Sequence, residues 1–206
     1  MPRLSQNKTL PSAITNIKIG WALKGCGQIS VADAFDMSVS ARLFVYDDTT
    51  LGHTDWTDSE PSFASKYFVA KNPNNIVIAL LPLDGEIITG YNTIAGGVCD
   101  GMLLSEKEMC LLEFKTNVKS PNYQTILQRA NDAIAQLWHT FDGIIKPRCA
   151  EKSVNIESVL SVDFHVVFDR DLEITGINAQ LMDLQSEFLE NNKFQLFFDN
   201  EKSFKA

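Results

Sequence analysis

Three side chains in the middle of the chain have the types and spacing of a phosphodiester-cleaving centre. Asp100 stands in Val98–Leu104 (VCDGMLL), and Glu113 and Lys115 stand in Met109–Thr116 (MCLLEFKT). Both segments read as strands, and Ser105–Glu108 (SEKE) is short and polar enough to join them as antiparallel neighbours. Side chains alternate across a strand, so Glu113 and Lys115 share one face and Phe114 takes the other. Charges inside an apolar run such as MCLLEF must be paired or bound to an ion, because an isolated buried charge is costly. Two carboxylates on adjacent strands form a hard oxygen site of the kind Mg²⁺ takes. A lysine beside them orients or activates a water and offsets charge growing on a phosphate. The expectation is that Asp100 and Glu113 converge on one sheet face, within reach of a single ion.

The positioning elements follow from pattern. Ile76–Leu83 reads as a buried strand, with Asp84–Gly85 as a turn and Glu86–Thr89 as the returning arm. Beyond the loop Asn117–Asn122, a long helix is predicted from Tyr123 to Asp142. Its stripe is Leu127, Ala130, Ile134, Leu137, Trp138 and Phe141, at steps of three and four, with Gly143 and Pro147 marking its end. That phase turns Gln128, Arg129, Asp132 and Gln136 away from the core and leaves Gln124 or Gln128 nearest the carboxylates. Ser158–Phe168 is strongly β, Ile177–Glu190 reads as a second helix and Phe194–Phe198 as a final strand, whereas 47–61 reads as a polar loop. Strand, strand, long helix, strand, then helix and strand indicate a mixed-sheet α/β protein.

In this order the chain resembles the PD-(D/E)xK nuclease superfamily. That family carries an Asp on the second strand and a (D/E)xK motif on the third strand of an αβββαβ core. The resemblance covers about residues 76–168. It implies a mixed central sheet with a restriction-endonuclease-like core flanked by helices, in a single domain 1–206. Residues 1–75 and 169–206 are then elaborations. It further implies that Asp100 and Glu113 bind Mg²⁺ (or Mn²⁺) together with the main-chain carbonyl of Phe114. Lys115 takes the water-activating role, and Gln124, Gln128 and Lys119 are candidates for substrate contact. Cys99 stands where the family often has Pro, and Gln128 is followed four residues on by Asp132 rather than Tyr. For the family's further acid, Glu60 and Glu86 are the candidates.

Composition bounds the partners. With 206 residues, 45% of them hydrophobic, the chain can bury a core. A net charge of −8 disfavours indiscriminate binding to a polyanion. The one basic stretch, residues 114–149, sets Lys115, Lys119, Arg129, Lys146 and Arg148 against Asp132 and Asp142. No apolar run is long enough to span a membrane, and the N-terminal residues have no signal-like apolar core, so a cytoplasmic protein with reduced cysteines is expected. Cys26, Cys99, Cys110 and Cys149, like His53, His139 and His165, are scattered, which argues against zinc. Asp163 and His165 share a strand face expected to be solvated, and His53, Asp55 and Asp58 are assigned to a surface loop. The leading expectation is a metal-dependent nuclease acting on nucleic acid, DNA in the first instance. The alternative is a non-catalytic, immunity-type protein on the same fold, whose acidic surface suits a basic protein partner. No Gly-rich phosphate loop or nucleophile elbow points to a small-molecule enzyme.

Overall fold

The computed structural model describes residues 9–62, 66–89, 97–119, 122–172 and 178–206. Three short helices open the chain: α1 (Ser12–Asn16), α2 (Ile19–Ala22) and α3 (Val31–Ala34). Seven strands follow: β1 (Asp36–Ser38), β2 (Arg42–Asp48), β3 (His53–Thr57), β4 (Phe68–Lys71), β5 (Ile78–Pro82), β6 (Gly101–Leu104) and β7 (Glu108–Lys115). Helix α4 (Tyr123–Trp138) leads through a π-helical segment, His139–Ile145, into α5 (Lys146–Ala150) and α6 (Ile156–Val159). The chain ends with β8 (Ser161–Phe168), α7 (Asn178–Asn192), β9 (Gln195–Phe197) and β10 (Glu201–Ser203).

The strands form two mixed sheets, one of six strands in the order β1-β5-β6-β7-β8-β9 and one of four in the order β10-β4-β2-β3. In the larger sheet β5, β6 and β7 are an antiparallel meander, and β8 and β9 add parallel to β7. The parallel β7–β8 pair needs a crossover, which α4 and its continuation supply. Alternation along β7 sorts its side chains between two cores. Met109 and Leu111 join the helix-side core, which takes Ile126, Ala130, Ala133 and Leu137 from α4. Cys110, Leu112 and Phe114 join the core between the sheets, with Leu43, Val45, Phe68 and Phe204. The fold is therefore an α/β arrangement of helices, large sheet and small sheet. Among the described residues, no helix is long and apolar enough to cross a membrane.

Four local expectations are corrected. The long helix does not stop near Asp142. Gly143 lies in the π-helical segment and Pro147 in the first turn of α5, where a missing N–H costs nothing. Asp84–Gly85 does turn the chain, with Gly85 at φ +78°, but no strand returns: the Ile87 and Ile88 N–H groups donate to the Pro82 and Leu83 carbonyls in a tight loop. The polar stretch 47–61 contains β3, paired with β2 around a turn in which the Asp48 carboxylate accepts from the Thr50 and Leu51 N–H groups. Asp163 and His165 are buried between the two sheets rather than solvated, because the small sheet covers that face.

Candidate active site

The β6–β7 ladder pairs Gly101 with Leu112, so the next residues outward, Asp100 and Glu113, stand opposite one another. Two hydrogen bonds lock them together. The Asp100 N–H donates to Glu113 Oε2 at 3.2 Å, and the Phe114 N–H donates to Asp100 Oδ2 at 2.6 Å. Lys115 shares the Glu113 face and donates from Nζ to Glu113 Oε1 at 2.5 Å. The three residues are thus brought into one cluster at the end of the meander, where Asp100 is half-buried and Glu113 buried.

Helix α4 closes the cluster from the helix side. Lys115 Nζ also donates to Gln136 Oε1 at 2.8 Å, while the Gln136 amide donates to the Val98 carbonyl at 3.4 Å. Next along, Thr140 Oγ1 accepts from the Cys99 N–H at 2.8 Å, and His139 Nδ1 meets the Gly97 carbonyl at 2.7 Å. Helix and π-helical segment therefore clamp the backbone that carries Asp100. Gly97, at φ +73°, is required there, since a Cβ would also sit 3.1 Å from the Gln136 side chain. The glutamine that reaches the site is Gln136, about three turns beyond Gln124. Its position was expected to face away. Stripe counting from the large side chains set the phase, whereas the buried line runs through Ile126, Ala130, Ala133 and Leu137. Gln124, Gln128 and Lys119 are exposed and outside this hydrogen-bonded cluster.

The electrostatics are those of a carboxylate-rich site short of cations. Burial pushes the Asp100 carboxyl up to about 7, with the charges of Asp47 and Asp84 adding to the shift and the Phe114 N–H and Lys115 opposing it. Glu113 is raised well above the ordinary carboxylate range by burial and by Asp100, despite its bond to Lys115. Asp47 is raised by burial and by Asp48 and Asp84, and Asp84 by burial. Asp47 and Asp84 are thus the further acids acting on Asp100. Glu60 instead accepts from the Tyr67 hydroxyl, and Glu86 lies 3.1 Å from His53 Nε2. Asp84 was read from sequence only as a turn residue; in the structure the Leu83 N–H donates to the Asp100 carbonyl, which brings the acid just beyond β5 beside Asp100. Asp47 had none, because β2 belongs to the other sheet. A cleft of about 400 Å³ adjoins the cluster, lined by Asp47, Asp48, Lys66, Phe114, Thr116 and Asn117 among others.

The fitness of the site for a divalent ion rests on its donor set. Asp100 and Glu113 offer hard oxygen atoms and Asp47 and Asp84 act on Asp100 through their charge, whereas the described residues that gather three ligand atoms within 4.8 Å are Cys110, Asp163 and His165. Burial is the first cause of both raised carboxyls, and a cation beside them would favour their charged forms. No protein-family model, curated protein or solved structure matches this chain.

Proposed function

We propose that the protein is a divalent-metal-dependent nuclease of the PD-(D/E)xK type, hydrolysing phosphodiester bonds of nucleic acid, DNA in the first instance. One observation carries the reading. Asp100, in the bend one residue before β6 rather than in the strand expected for it, stands opposite Glu113 of β7. Its carboxylate accepts from the Phe114 N–H, the Glu113 carboxylate accepts from the Asp100 N–H, and Lys115 bonds Glu113. The sheet order supports it. An antiparallel meander, a crossover helix and a strand parallel to β7 form the succession in which that family sets its motif.

Asp100 and Glu113 would hold Mg²⁺ or Mn²⁺, with Asp84 and Asp47 adding negative potential. The Phe114 main-chain carbonyl is the third candidate ligand, and its N–H already fixes one Asp100 oxygen. The bound ion supplies Lewis-acid stabilisation of charge on the phosphate. Lys115, held between Glu113 and Gln136, keeps a positive charge beside the reacting phosphate and orients the attacking water. Gln136 positions that lysine.

The test is a gel assay on single- and double-stranded DNA and RNA with Mg²⁺, Mn²⁺ or EDTA, run beside Lys115→Ala. Cleavage that requires both metal and Lys115 is expected. Absence of cleavage on every substrate, or cleavage indifferent to Lys115, overturns the reading.

A further inference from the structure

The other face of β7 carries a second cluster that the nuclease reading does not use. Cys110, Asp163 and His165 each offer one ligand atom, and the three atoms lie within 4.8 Å of one another. All three residues are buried between the two sheets, His165 to 2% exposure and Cys110 to 0%. The register of β7 against β8 sets Cys110 beside Asp163, and alternation brings His165 to the same face.

The hydrogen-bonding pattern is the informative part. His165 Nδ1 is engaged by Asp199 Oδ1 at 2.7 Å, and Asp163 Oδ2 by Lys202 Nζ at 2.6 Å. The opposite atoms of the same two groups, His165 Nε2 and Asp163 Oδ1, are buried without a hydrogen bond and stand 3.6 Å apart. Their contact with one another is a 3.6 Å ion pair, longer than a hydrogen bond, and buried polar atoms left without one need a reason. Both residues belong to the group that includes Cys110. Carboxylates that fix the far nitrogen of a histidine are the usual support of a metal-binding imidazole. The ring is also held by Phe197, stacked at 4.9 Å, and by Phe68, edge-on at 5.0 Å.

We propose that Cys110, Asp163 and His165 form a buried site for one borderline divalent transition-metal ion, zinc in the first instance. The proposal does not depend on the nuclease reading. Sulfur, nitrogen and oxygen together suit zinc and exclude Mg²⁺ as the preferred ion. Zinc bonds of about 2.0–2.3 Å set ligand atoms roughly 3.2–3.8 Å apart, so atoms now within 4.8 Å of one another draw together by at most about 1.6 Å. The ion would tie β7 to β8 and, through Lys202 on Asp163, to β10 of the small sheet. The scattered Cys and His positions hid this site, because adjacency across parallel strands leaves no spacing motif.

The test uses the full-length, tag-free protein, stripped with a chelator and titrated with Co²⁺. One Co²⁺ per chain should bind with a thiolate-to-cobalt charge-transfer band that equimolar Zn²⁺ abolishes and excess Mg²⁺ leaves unchanged. Cys110→Ser should lose the band, while the Asp100→Asn/Glu113→Gln double variant should keep it, which separates this site from the proposed nuclease centre. Should Cys110→Ser fail to fold, X-ray absorption of the zinc-loaded native protein decides. It should show a single sulfur at about 2.3 Å with nitrogen or oxygen at about 2.0–2.1 Å. No band in the native protein, a band that survives Cys110→Ser, or a zinc shell with no sulfur or with several overturns the proposal.

Discussion

Strand β7 separates two buried polar clusters that solve the same problem in opposite ways. On the helix side, Asp100 and Glu113 share Lys115, and burial drives both carboxyls up. Between the sheets, Asp163 is equally enclosed, and burial again works to raise it. There His165 and Lys202 outweigh that effect and hold it below the ordinary carboxylate value. Lys202 bridges Asp163 and Glu108, at 2.6 and 2.9 Å, and is itself raised by them against its own burial. Burial sets a cost for every acid, and the count of nearby cations decides whether that acid keeps its charge. The first cluster is left short of cations. The second is paired internally, with His165 Nε2 and Asp163 Oδ1 meeting at 3.6 Å without a hydrogen bond.

The contrast is broken most sharply by removing each lysine. Lys115→Ala should lower cleavage by about 10²- to 10⁴-fold with little change in far-ultraviolet circular dichroism, because Glu113 can then take up a proton. A variant of near-native activity would show that the first cluster is not catalytic. Lys202→Ala should act on stability instead, at a cost on the order of 3–5 kcal/mol in urea denaturation, since it leaves Asp163 and Glu108 buried without their shared partner. A loss below about 1 kcal/mol would mean that the second cluster is not held by that bridge.

The pH dependence should also differ in sign. The folded-state carboxyl of Asp100 lies at about 7, above its ordinary value near 3.9. Between these values the unfolded chain has lost a proton that the folded chain retains. In EDTA, stability therefore falls as pH rises through this window and stays lower above it. Asn in place of Asp100 should remove the penalty and stabilise the metal-free protein at pH 8 by about 2–4 kcal/mol, with little effect at pH 4. Equal effects at both pH values would sink the assignment. Asp163 behaves conversely: its lowered carboxyl contributes stability that is present above the ordinary carboxylate range and lost as pH falls through its folded value.

The smallest effect belongs to Gln136. Replacing it with Leu should reduce turnover by about tenfold while leaving the metal requirement intact, because it only positions Lys115. A pH–rate profile that shifts in Gln136→Leu but keeps its metal dependence would support that role. An unchanged rate and profile would mean Lys115 is held by Glu113 alone.

Local pattern was enough to determine part of this protein. The apolar runs around Asp100 and Glu113, with four polar residues between, fix a hairpin, and period-two alternation then puts Glu113 and Lys115 on one face. The helix beginning at Tyr123 was legible from its stripe, and the structure adds the Asn122 side chain that caps it. The small sheet was not legible, because β4 and β10 are four and three residues long and pair across more than 120 positions of sequence. Strands that short carry little periodicity, and nothing local encodes a distant partner. For the same reason Asp163 and His165 looked solvated: only the second sheet, packed over Cys110 and Val167, decides that their face is buried. Asp47 and Gln136 reach the Asp100 cluster by tertiary packing too, one from a strand of the other sheet and one from far along a helix. Side-chain chemistry and the pairing of strands joined by a short turn come from sequence because they act over a few residues. Which charges meet, and therefore which acids want an ion, is settled by how the layers stack.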